Sequence, residues 1–342
     1  MVQRKFLILI VLFTFTVVSF GQQEPQFSQY MYTILPINPA YAGNAGICAS
    51  LHYRQQWAGF TDIIVKPDGT NEENKTSPRD ALVSIHSPIK ALHGGVGLTI
   101  YQDALGYQSD IAVKLAYSFR LNFGGGTLGI GLSADFLSRQ IQKDKYVLGQ
   151  SGDPILIANM GASDMHMDVS FGAFYQMQEK WYAGLSVTQI AGSIIGGDKD
   201  LQDGKQHLYI IGGYSFDLPS NPDWALKPSA LIKTDLATLP QVDLSLIADY
   251  KSLVWFGVSY RAIDCAAVLV GAKPFINFNG AIRGLEVVGS YDITTSKMGY
   301  KHGRSFGGYE FCLKYCFKIV TNPPIYGYKG TRLLGNKPIE YR

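Results

Sequence analysis

The cysteines are the residues whose side chains could form covalent bonds or bind a metal. They are Cys48, Cys265, Cys312 and Cys316. Cys312 and Cys316 fall on one face of a predicted strand, about 13 Å apart at about 3.3 Å per residue, which is too far for a disulfide between them. Cys48 or Cys265 could pair with one of these two, and the sequence favours small unbonded side chains inside the protein. The C-x₃-C spacing on a strand does not predict a zinc site.

The six histidines do not form a catalytic or metal-binding pattern. The H-E-x-x-H, Cys-x-x-Cys and EF-hand motifs are missing, and so is the G-x-S-x-G elbow of the α/β-hydrolases. His166 and Asp168 share a strand face, which we interpret as a polar rim position. Gly124–Gly126 has neither a Lys-Ser/Thr pair nor a following helix, so it predicts a hairpin turn instead of a phosphate-binding loop. We therefore expect no catalytic residue, no metal and no cofactor, and predict that the protein is not an enzyme.

The composition restricts the protein to two broad classes. Of its 342 residues, 46% are hydrophobic, 13% are aromatic and only 17% are charged, compared with about 25% charged residues in soluble domains. Such a chain is too apolar to be disordered. The net charge of +3, from 30 basic and 27 acidic residues, is too small to indicate a nucleic-acid partner. A soluble all-β protein and a membrane barrel both fit this composition.

The first 21 residues have the pattern of a secretory signal peptide. Arg4 and Lys5 precede an uncharged apolar run, 6–20, and Ser19 and Gly21 are small residues suited to cleavage before residue 22. The run is shorter than the ~20 residues that a membrane-spanning helix needs. Beyond residue 21, no apolar stretch reaches the length of such a helix. We expect an exported protein whose remaining apolar residues are in a core or on lipid-facing strands.

The elements that must position any functional side chain are long strands of alternating polarity. In 111–122, Ile111 and Leu115 face one side, whereas Lys114 and Arg120 face the other. This period of two predicts strands, and their length matches the ~9–11 residues of a tilted membrane-spanning strand. Fourteen are predicted, at 48–57, 80–87, 95–103, 109–122, 127–140, 166–178, 181–192, 206–217, 226–235, 241–250, 253–261, 265–273, 284–294 and 307–317. Aromatic residues at strand ends are expected to form interfacial girdles; these are Trp57, Phe119, Trp181, Tyr182, Tyr315 and Phe317.

The connections alternate in length, which indicates the fold. Several that follow odd-numbered strands are long, whereas those that follow even-numbered strands are mostly tight. Outer-membrane barrels have long outer loops and short periplasmic turns. We therefore predict an all-β fold: a transmembrane antiparallel β-barrel of outer-membrane type with about fourteen strands. Its parts would be a signal peptide (1–21), an N-terminal plug segment (22–46), the barrel (47–317) and a periplasmic tail (318–342).

Charged side chains of both signs fall on the predicted inner faces. They are Lys114, Arg120, Asp168, Asp243, Asp249, Arg261, Glu310 and Lys314. Either a wet channel or a lumen filled with ion-paired side chains would accommodate them. We favour a filled lumen, because the irregular segment 22–46 carries aromatic residues that need a place to pack.

Six segments carry motifs that a generic barrel does not require: Pro25–Met31, Ile37–Gly43, Tyr53–Phe60, Ser84–Pro88, Gly95–Leu98 and Tyr309–Tyr315. Together they resemble the PorP/SprF family of Bacteroidetes outer-membrane proteins. In the N-terminal signature we assign a plug role to Gln26, Phe27, Ser28, Gln29, Tyr30, Asn38, Pro39, Ala40 and Gly43. In the first-strand motif we single out Arg54, Gln56, Trp57, Gly59 and Phe60. The long segment after Phe317 departs from the family ending.

The resemblance implies a component of the type IX secretion system, with roles in secretion, surface attachment of adhesins and gliding motility. It also implies two protein partners: a secreted surface protein with a C-terminal targeting domain, and a periplasmic or peptidoglycan-binding protein. Outer-membrane lipid is the third expected contact, and no nucleic acid is expected. We place the outer contacts in loops 58–79 and 141–165 and the plug in or under the periplasmic mouth. The alternative is a porin-like passive diffusion channel.

Overall fold

The computed structural model describes residues 24–44, 46–65, 69–141, 163–177, 180–191, 206–235, 238–273, 284–296 and 305–317. The predicted signal peptide and C-terminal tail, and most of loop 141–165, lie outside the described residues. In the part of the chain that the structure describes, no helix is long and apolar enough to cross a membrane.

Fourteen long antiparallel strands form a closed barrel, as predicted. They are β1 (Ile47–Gln55), β4 (Arg79–Ile89), β5 (Gly94–Leu105), β6 (Gln108–Phe123), β7 (Gly126–Ile141), β8 (Ser163–Met177), β9 (Trp181–Thr188), β10 (His207–Tyr214), β12 (Trp224–Thr234), β13 (Gln241–Tyr250), β14 (Val254–Arg261), β15 (Cys265–Ala272), β16 (Leu285–Thr294) and β17 (Gly308–Phe317). Each pairs with its neighbours along the chain, β10 pairs with β12, and β1 pairs with β17 to close the ring. The fold is therefore confirmed.

Two smaller pieces were not predicted. A short hairpin, β2 (Thr61–Val65) and β3 (Asn71–Lys75), lies within the first long connection. The predicted strand 206–217 divides at Ser215 into β10 and the two-residue β11 (Phe216–Asp217). The chain leaves the ladder there because the amide of Ser215 donates to the carbonyl of Lys180 in the neighbouring turn, at 2.7 Å.

Burial alternates along the strands as the sequence pattern predicts. In β6, Leu115 is 51% exposed on the outer face, whereas the side chains of Lys114 and Ser118 are buried inside the barrel. Apolar residues on the outside and polar residues within are the arrangement of a lipid-facing barrel. One expected girdle residue differs: Tyr182 stacks on Phe174 inside the barrel, with ring centroids 5.7 Å apart.

The two ends of the barrel differ in their connections. One end, here called the loop end, carries the connections 56–78, 142–162, 189–206 and 295–307, with shorter ones at 106–107, 235–240 and 262–264. The other, the turn end, carries 90–93, 124–125, 178–180, 215–223, 251–253 and 273–284. β1 begins at the turn end, next to a disulfide between Cys48 and Cys316 that joins the first and last strands. The expectation of unbonded cysteines is therefore wrong for this pair, whereas Cys265 and Cys312 are free and buried.

Residues 24–44, here called the inner segment, run through the barrel interior. The segment contains a 3₁₀ turn at Tyr30–Tyr32, a short helix α1 (Ile34–Ile37) and a second 3₁₀ turn at Pro39–Tyr41. Pro39 occupies the first position of its turn, where its missing N–H costs no hydrogen bond. Interior strand residues contact the whole length of the segment, from Glu24 near the loop end to Asn44 near the turn end.

Candidate functional site

Arg54 of β1 is the central contact of the inner segment near the loop end. Its side chain is 1% exposed, and its guanidinium lies 3.1 Å from Asp292 of β16 and 3.0 Å from Glu310 of β17. The same guanidinium donates to the carbonyl of Gln26. Removing charges from water is expensive, and this arrangement offsets the cost by matching one cation to two carboxylates and a carbonyl. It joins the barrel seam to the inner segment.

Glu310 and Asp292 hold the next two residues of the inner segment. The backbone amides of Ser28 and Gln29 donate to the two carboxylate oxygens of Glu310, at 2.6 and 3.0 Å. The Ser28 hydroxyl donates to Asp292 at 2.9 Å, and the Gln29 side-chain amide donates to Ser290 at 3.0 Å. Irregular backbone can lie inside a membrane barrel only when its polar groups find such partners.

Asn38 fixes the middle of the inner segment with every polar group of its side chain. Its Oδ1 accepts from the amide of Ala40 at 3.0 Å, which caps the second 3₁₀ turn. Its Nδ2 donates to the carbonyl of Ala173 in β8 at 3.0 Å. The side chain reaches β8 because Gly172 leaves the space free: a Cβ there would lie 2.1 Å from Oδ1 of Asn38.

A row of glycines lets backbone approach backbone along the same wall. A Cβ on Gly131 of β7 would lie 2.3 Å from the amide nitrogen of Ala40, and one on Gly129 would lie 2.5 Å from the Ala40 carbonyl. Gly95 and Gly43 are in similar contact, and Gly43 has a φ of +72°. Ala40 is fully buried as a result. The glycines therefore form a groove that fits the Asn38–Gly43 motif.

Glu24 makes the ionic contact nearest to the start of the inner segment. Its carboxylate lies 2.8 Å from Nζ of Lys114 and accepts from the Tyr209 hydroxyl at 2.9 Å. Burial raises the pKa of the Glu24 carboxyl, but the attraction of Lys114, together with His207 and Lys233, outweighs burial and lowers the pKa below its usual 4.5. The carboxylate is therefore held in its charged form.

Aromatic side chains of the inner segment pack in the lumen against residues of the strands. Tyr30, 2% exposed, packs with Ile34 and Phe174 and shares a hydrogen bond of 2.9 Å with Ser229. Phe27 packs with Leu82 of β4 in a separate cluster. The segment thus contributes its own apolar residues to the barrel core, which explains why aromatic residues occur in an irregular stretch.

Most of the charged residues predicted on inner faces contact the inner segment or pair with a charged side chain of a neighbouring strand. Arg120 donates to Asn44 at 2.7 Å, and Lys314 lies over the ring of Tyr32, with Nζ 5.5 Å from its centroid. The remaining ones pair between strands: Asp243 with Arg261 at 3.0 Å, and Asp249 with Lys227 at 2.6 Å. Asp168 accepts from the amides of Val169 and Ala191 near the loop end.

Most of the first-strand motif lies beyond the strand, which corrects its boundary. β1 ends at Gln55, so Gln56, Trp57, Gly59 and Phe60 belong to the following loop. The chain turns there because Trp57 and Gly59 have positive φ values of 50° and 85°. Between them, Ala58 exchanges two backbone hydrogen bonds with the last loop, at 2.6 and 2.7 Å, through Gly307 and Phe306. The motif joins the first and last loops at the barrel rim.

Several residues of the site were missed by the sequence analysis. Glu24, Asp292 and Ser290 were not singled out, although each binds the inner segment or its Arg54 partner. Asp292 lies in a strand of alternating polarity, so the sequence could predict that its side chain faces inward. It could not predict the contact with Arg54. Within the described ranges, no group of three or more His, Cys, Asp or Glu side chains could hold a metal ion.

Comparison with protein families gives one extensive match. A family model described as type IX secretion system membrane protein PorP/SprF matches residues 19–315. No curated protein is similar enough to count as a match.

Solved structures of bacterial barrel proteins superpose loosely on the chain. The Acinetobacter baumannii outer membrane protein Omp33 has 8% sequence identity and a TM-score of 0.42, covering 80% of this chain and 99% of its own. The P. putida toluene transporter TodX has 11% identity and a TM-score of 0.44, covering 82% and 92%. A Pseudomonas aeruginosa FadL homologue has 12% identity and a TM-score of 0.40, covering 81% and 93%.

Proposed function

Because the chain belongs to the PorP/SprF family of type IX secretion system membrane proteins, we propose that it is a plugged outer-membrane barrel that anchors a secreted surface protein or helps to export it. The observation that carries this proposal is the inner segment. It runs through the lumen and is bonded to strands on several sides. A barrel closed in this way is suited to holding a partner at its ends.

The orientation follows from the connections. Barrels of this type place long loops outside the cell and short turns in the periplasm, so the loop end would face outward. We propose that the secreted protein, with its C-terminal targeting domain, binds at the loop end. A periplasmic or peptidoglycan-binding protein would bind at the turn end, and the outer wall would contact outer-membrane lipid. We also propose that an N-terminal signal peptide exports the chain and that the protein has a role in gliding motility.

A passive diffusion channel is the competing function. It needs a continuous water-filled path, whereas the inner segment packs its aromatic side chains against the barrel wall. The buried ion pairs of Arg54 and Lys114 also hold the segment in place. These contacts favour the anchor over the channel. Nothing in the site favours an enzyme, so we propose a non-catalytic role.

Affinity purification from native membranes tests the proposal. The chain would be tagged, solubilised in mild detergent and analysed by mass spectrometry for co-purifying proteins. We expect one secreted protein with a type IX targeting domain and one periplasmic protein. Recovery of the barrel without any secreted or periplasmic partner, from cells that express the secretion system, would contradict the anchor function.

A variant that changes only an outer loop tests which partner binds at the loop end. Replacing the hairpin of β2 and β3 (61–75) by a short Gly-Ser link removes an outer structure without touching the barrel strands. We expect this variant to lose the secreted partner and to keep the periplasmic one. Loss of both partners would indicate that the variant does not reach the membrane, which a surface-labelling assay of the barrel checks directly.

A further inference from the structure

The inner segment has a direction, which the heights of its contacts along the strands define. Near its start, the backbone carbonyl of Glu24 accepts from Lys233, the last residue but one of β12 at the loop end. The side chains of Gln26 and Gln241 exchange amide hydrogen bonds of 2.9 and 3.1 Å, and Gln241 is the first residue of β13 at the loop end. Asn44, by contrast, is hydrogen-bonded to the turn-end parts of β6 and β8. The segment therefore runs from the loop end to the turn end.

Three cavities within the described part of the chain adjoin Glu24, and one of them is large enough to admit a polypeptide. Two have volumes of about 40 and 30 Å³, which is room for a few water molecules. The third, of about 390 Å³, is here called the vestibule. Gln56, Trp57 and Leu105 line it at the loop end, where it opens, and Glu24 and Gln26 line its inner part. Residues ahead of Glu24 would therefore leave the barrel through the vestibule.

A route to the turn end would need a second passage through the lumen beside the inner segment. The later part of the segment is packed against the wall: Ala40 is fully buried, and a Cβ added to Gly131 would lie 2.3 Å from its amide nitrogen. A Cβ added to Gly95 would likewise lie 2.5 Å from the Cα of Gly43. Protein interiors packed this closely have no room for another chain. Among the described residues, the vestibule is thus the route that remains.

The two ends of the described chain consequently lie at opposite ends of the barrel. The chain passes through the barrel once as the inner segment and fourteen times as strands, and its last strand, β17, ends at the turn end. An outer-membrane barrel with an even number of strands and no such segment has both ends on the periplasmic side. We propose that the N-terminus of the processed chain faces the cell surface, whereas the end of β17 faces the periplasm. This topology goes beyond the proposed function and rests on it only for the outward orientation of the loop end.

The processed N-terminus would then belong to the outer binding surface. Cleavage before residue 22, as the sequence predicts, leaves two residues ahead of Glu24, and these extend at most about 7 Å. The new α-amino group would lie in the vestibule or just above it. A secreted protein that binds at the loop end would therefore meet this N-terminus as well as the outer loops.

Thiol labelling on intact cells tests this topology. Gln23→Cys places a thiol directly ahead of the inner segment, and a membrane-impermeant maleimide is the probe. The wild-type chain gives the background, because Cys48 and Cys316 are bonded to each other and Cys265 and Cys312 are buried. We expect Gln23→Cys to be labelled in intact cells, with no further gain once the outer membrane has been permeabilised.

Two further variants calibrate the two sides of the membrane. Leu239→Cys, at an exposed loop-end position, should be labelled in intact cells, and Lys251→Cys, at an exposed turn-end position, only after permeabilisation. With these two behaving as expected, labelling of Gln23→Cys only after permeabilisation, or in neither state, would overturn the proposal and leave the anchor function standing. Labelling of both Leu239→Cys and Gln23→Cys only after permeabilisation would instead reject the orientation in the proposed function, and with it the surface position of the N-terminus.

Discussion

At the scale of single residues, Arg54 explains why the inner segment stays inside the barrel. It is one of a small group of fully buried large side chains and contacts Asp292, Glu310 and Gln26 together. Taking away one partner of a buried ion network leaves the others charged and unpaired, which costs more than the network itself contributes. The network therefore acts mainly to define one position of the segment.

The first prediction concerns this network. Arg54→Ala should lower the free energy of unfolding by about 3–5 kcal/mol, because two buried carboxylates lose their cation. Thermal unfolding in detergent, followed by the change in gel mobility of heated barrels, measures the effect. Lys251→Ala is the control, since the Lys251–Asp223 pair is exposed at the turn end, and should leave the transition unchanged. An equal shift in both variants would show that Arg54 has no special structural role.

The second prediction concerns pH. The pKa of Glu24 is lowered from 4.5 on folding, so its contact with Lys114 stabilises the protein above pH 4.5 and is lost as the pH falls through the lowered pKa. Glu24→Gln should therefore be less stable than the wild type at pH 7, and the difference should shrink below pH 4.5. Unfolding temperatures at a series of pH values test this. A difference that grows on acidification would contradict the assignment.

At this scale the sequence could predict which side of a strand a side chain faces, but not which residue it contacts. Alternation alone placed Lys114, Asp243 and Glu310 on the inner face, because the side-chain period of a strand is two. It could not tell that Arg54 lies between Asp292 and Glu310, since that contact depends on how the first and last strands meet. The disulfide between Cys48 and Cys316 could not be predicted for the same reason, because these residues are opposite one another only once the barrel is closed.

At the scale of elements, the groove of glycines on the inner wall defines where the Asn38–Gly43 motif sits. The third prediction is that Gly131→Val displaces this motif, because a Cβ would lie 2.3 Å from the amide of Ala40. The inner segment should then become cleavable by added protease. Gly289→Ala is the control, as no atom lies within 4 Å of the added Cβ. A segment that resists protease equally in both variants would argue against the groove.

The fourth prediction concerns the barrel seam. The bond between Cys48 and Cys316 closes a loop of 268 residues in sequence, and a cross-link of this kind stabilises by about 2–5 kcal/mol. The double variant Cys48→Ser/Cys316→Ser should unfold at a lower temperature, and reductant should bring the wild type to the same value. Cys265→Ser removes a buried free thiol and keeps the bond, so this control should unfold like the wild type and respond to reductant as the wild type does. Identical unfolding of wild type and double variant would contradict a role for the bond.

Strand number was predictable at this scale, and some boundaries were not. The fourteen strands follow from alternation and turn residues, but the end of β1 was placed two residues late, at Trp57. Trp57 continues the aromatic pattern of the strand, yet its positive φ takes it out of the ladder. Hydrogen bonds with the last loop hold this conformation, and they depend on contacts more than two hundred residues apart in sequence.

At the scale of the whole molecule, the low charge and high aromatic content have one explanation. The outer wall exposes apolar residues such as Leu115 and Val258, at 51% and 58%, while charged residues of the described strands lie inside and pair with the inner segment or with each other. The described residues form one barrel and the segment that lies inside it. Filling the lumen with the chain's own N-terminal part leaves the two ends of the barrel as the surfaces available to partners.

Conductance in planar lipid bilayers tests the central claim, that the barrel is a plugged anchor, most directly. The purified wild-type chain would be compared with a variant that lacks residues 24–44, reconstituted under the same conditions. We predict that the wild type shows no steady channels and that the deletion variant opens a large, stable conductance, because the inner segment occupies the lumen between the described strands. Large steady channels from the wild type, or equal conductance in both proteins, would contradict the account.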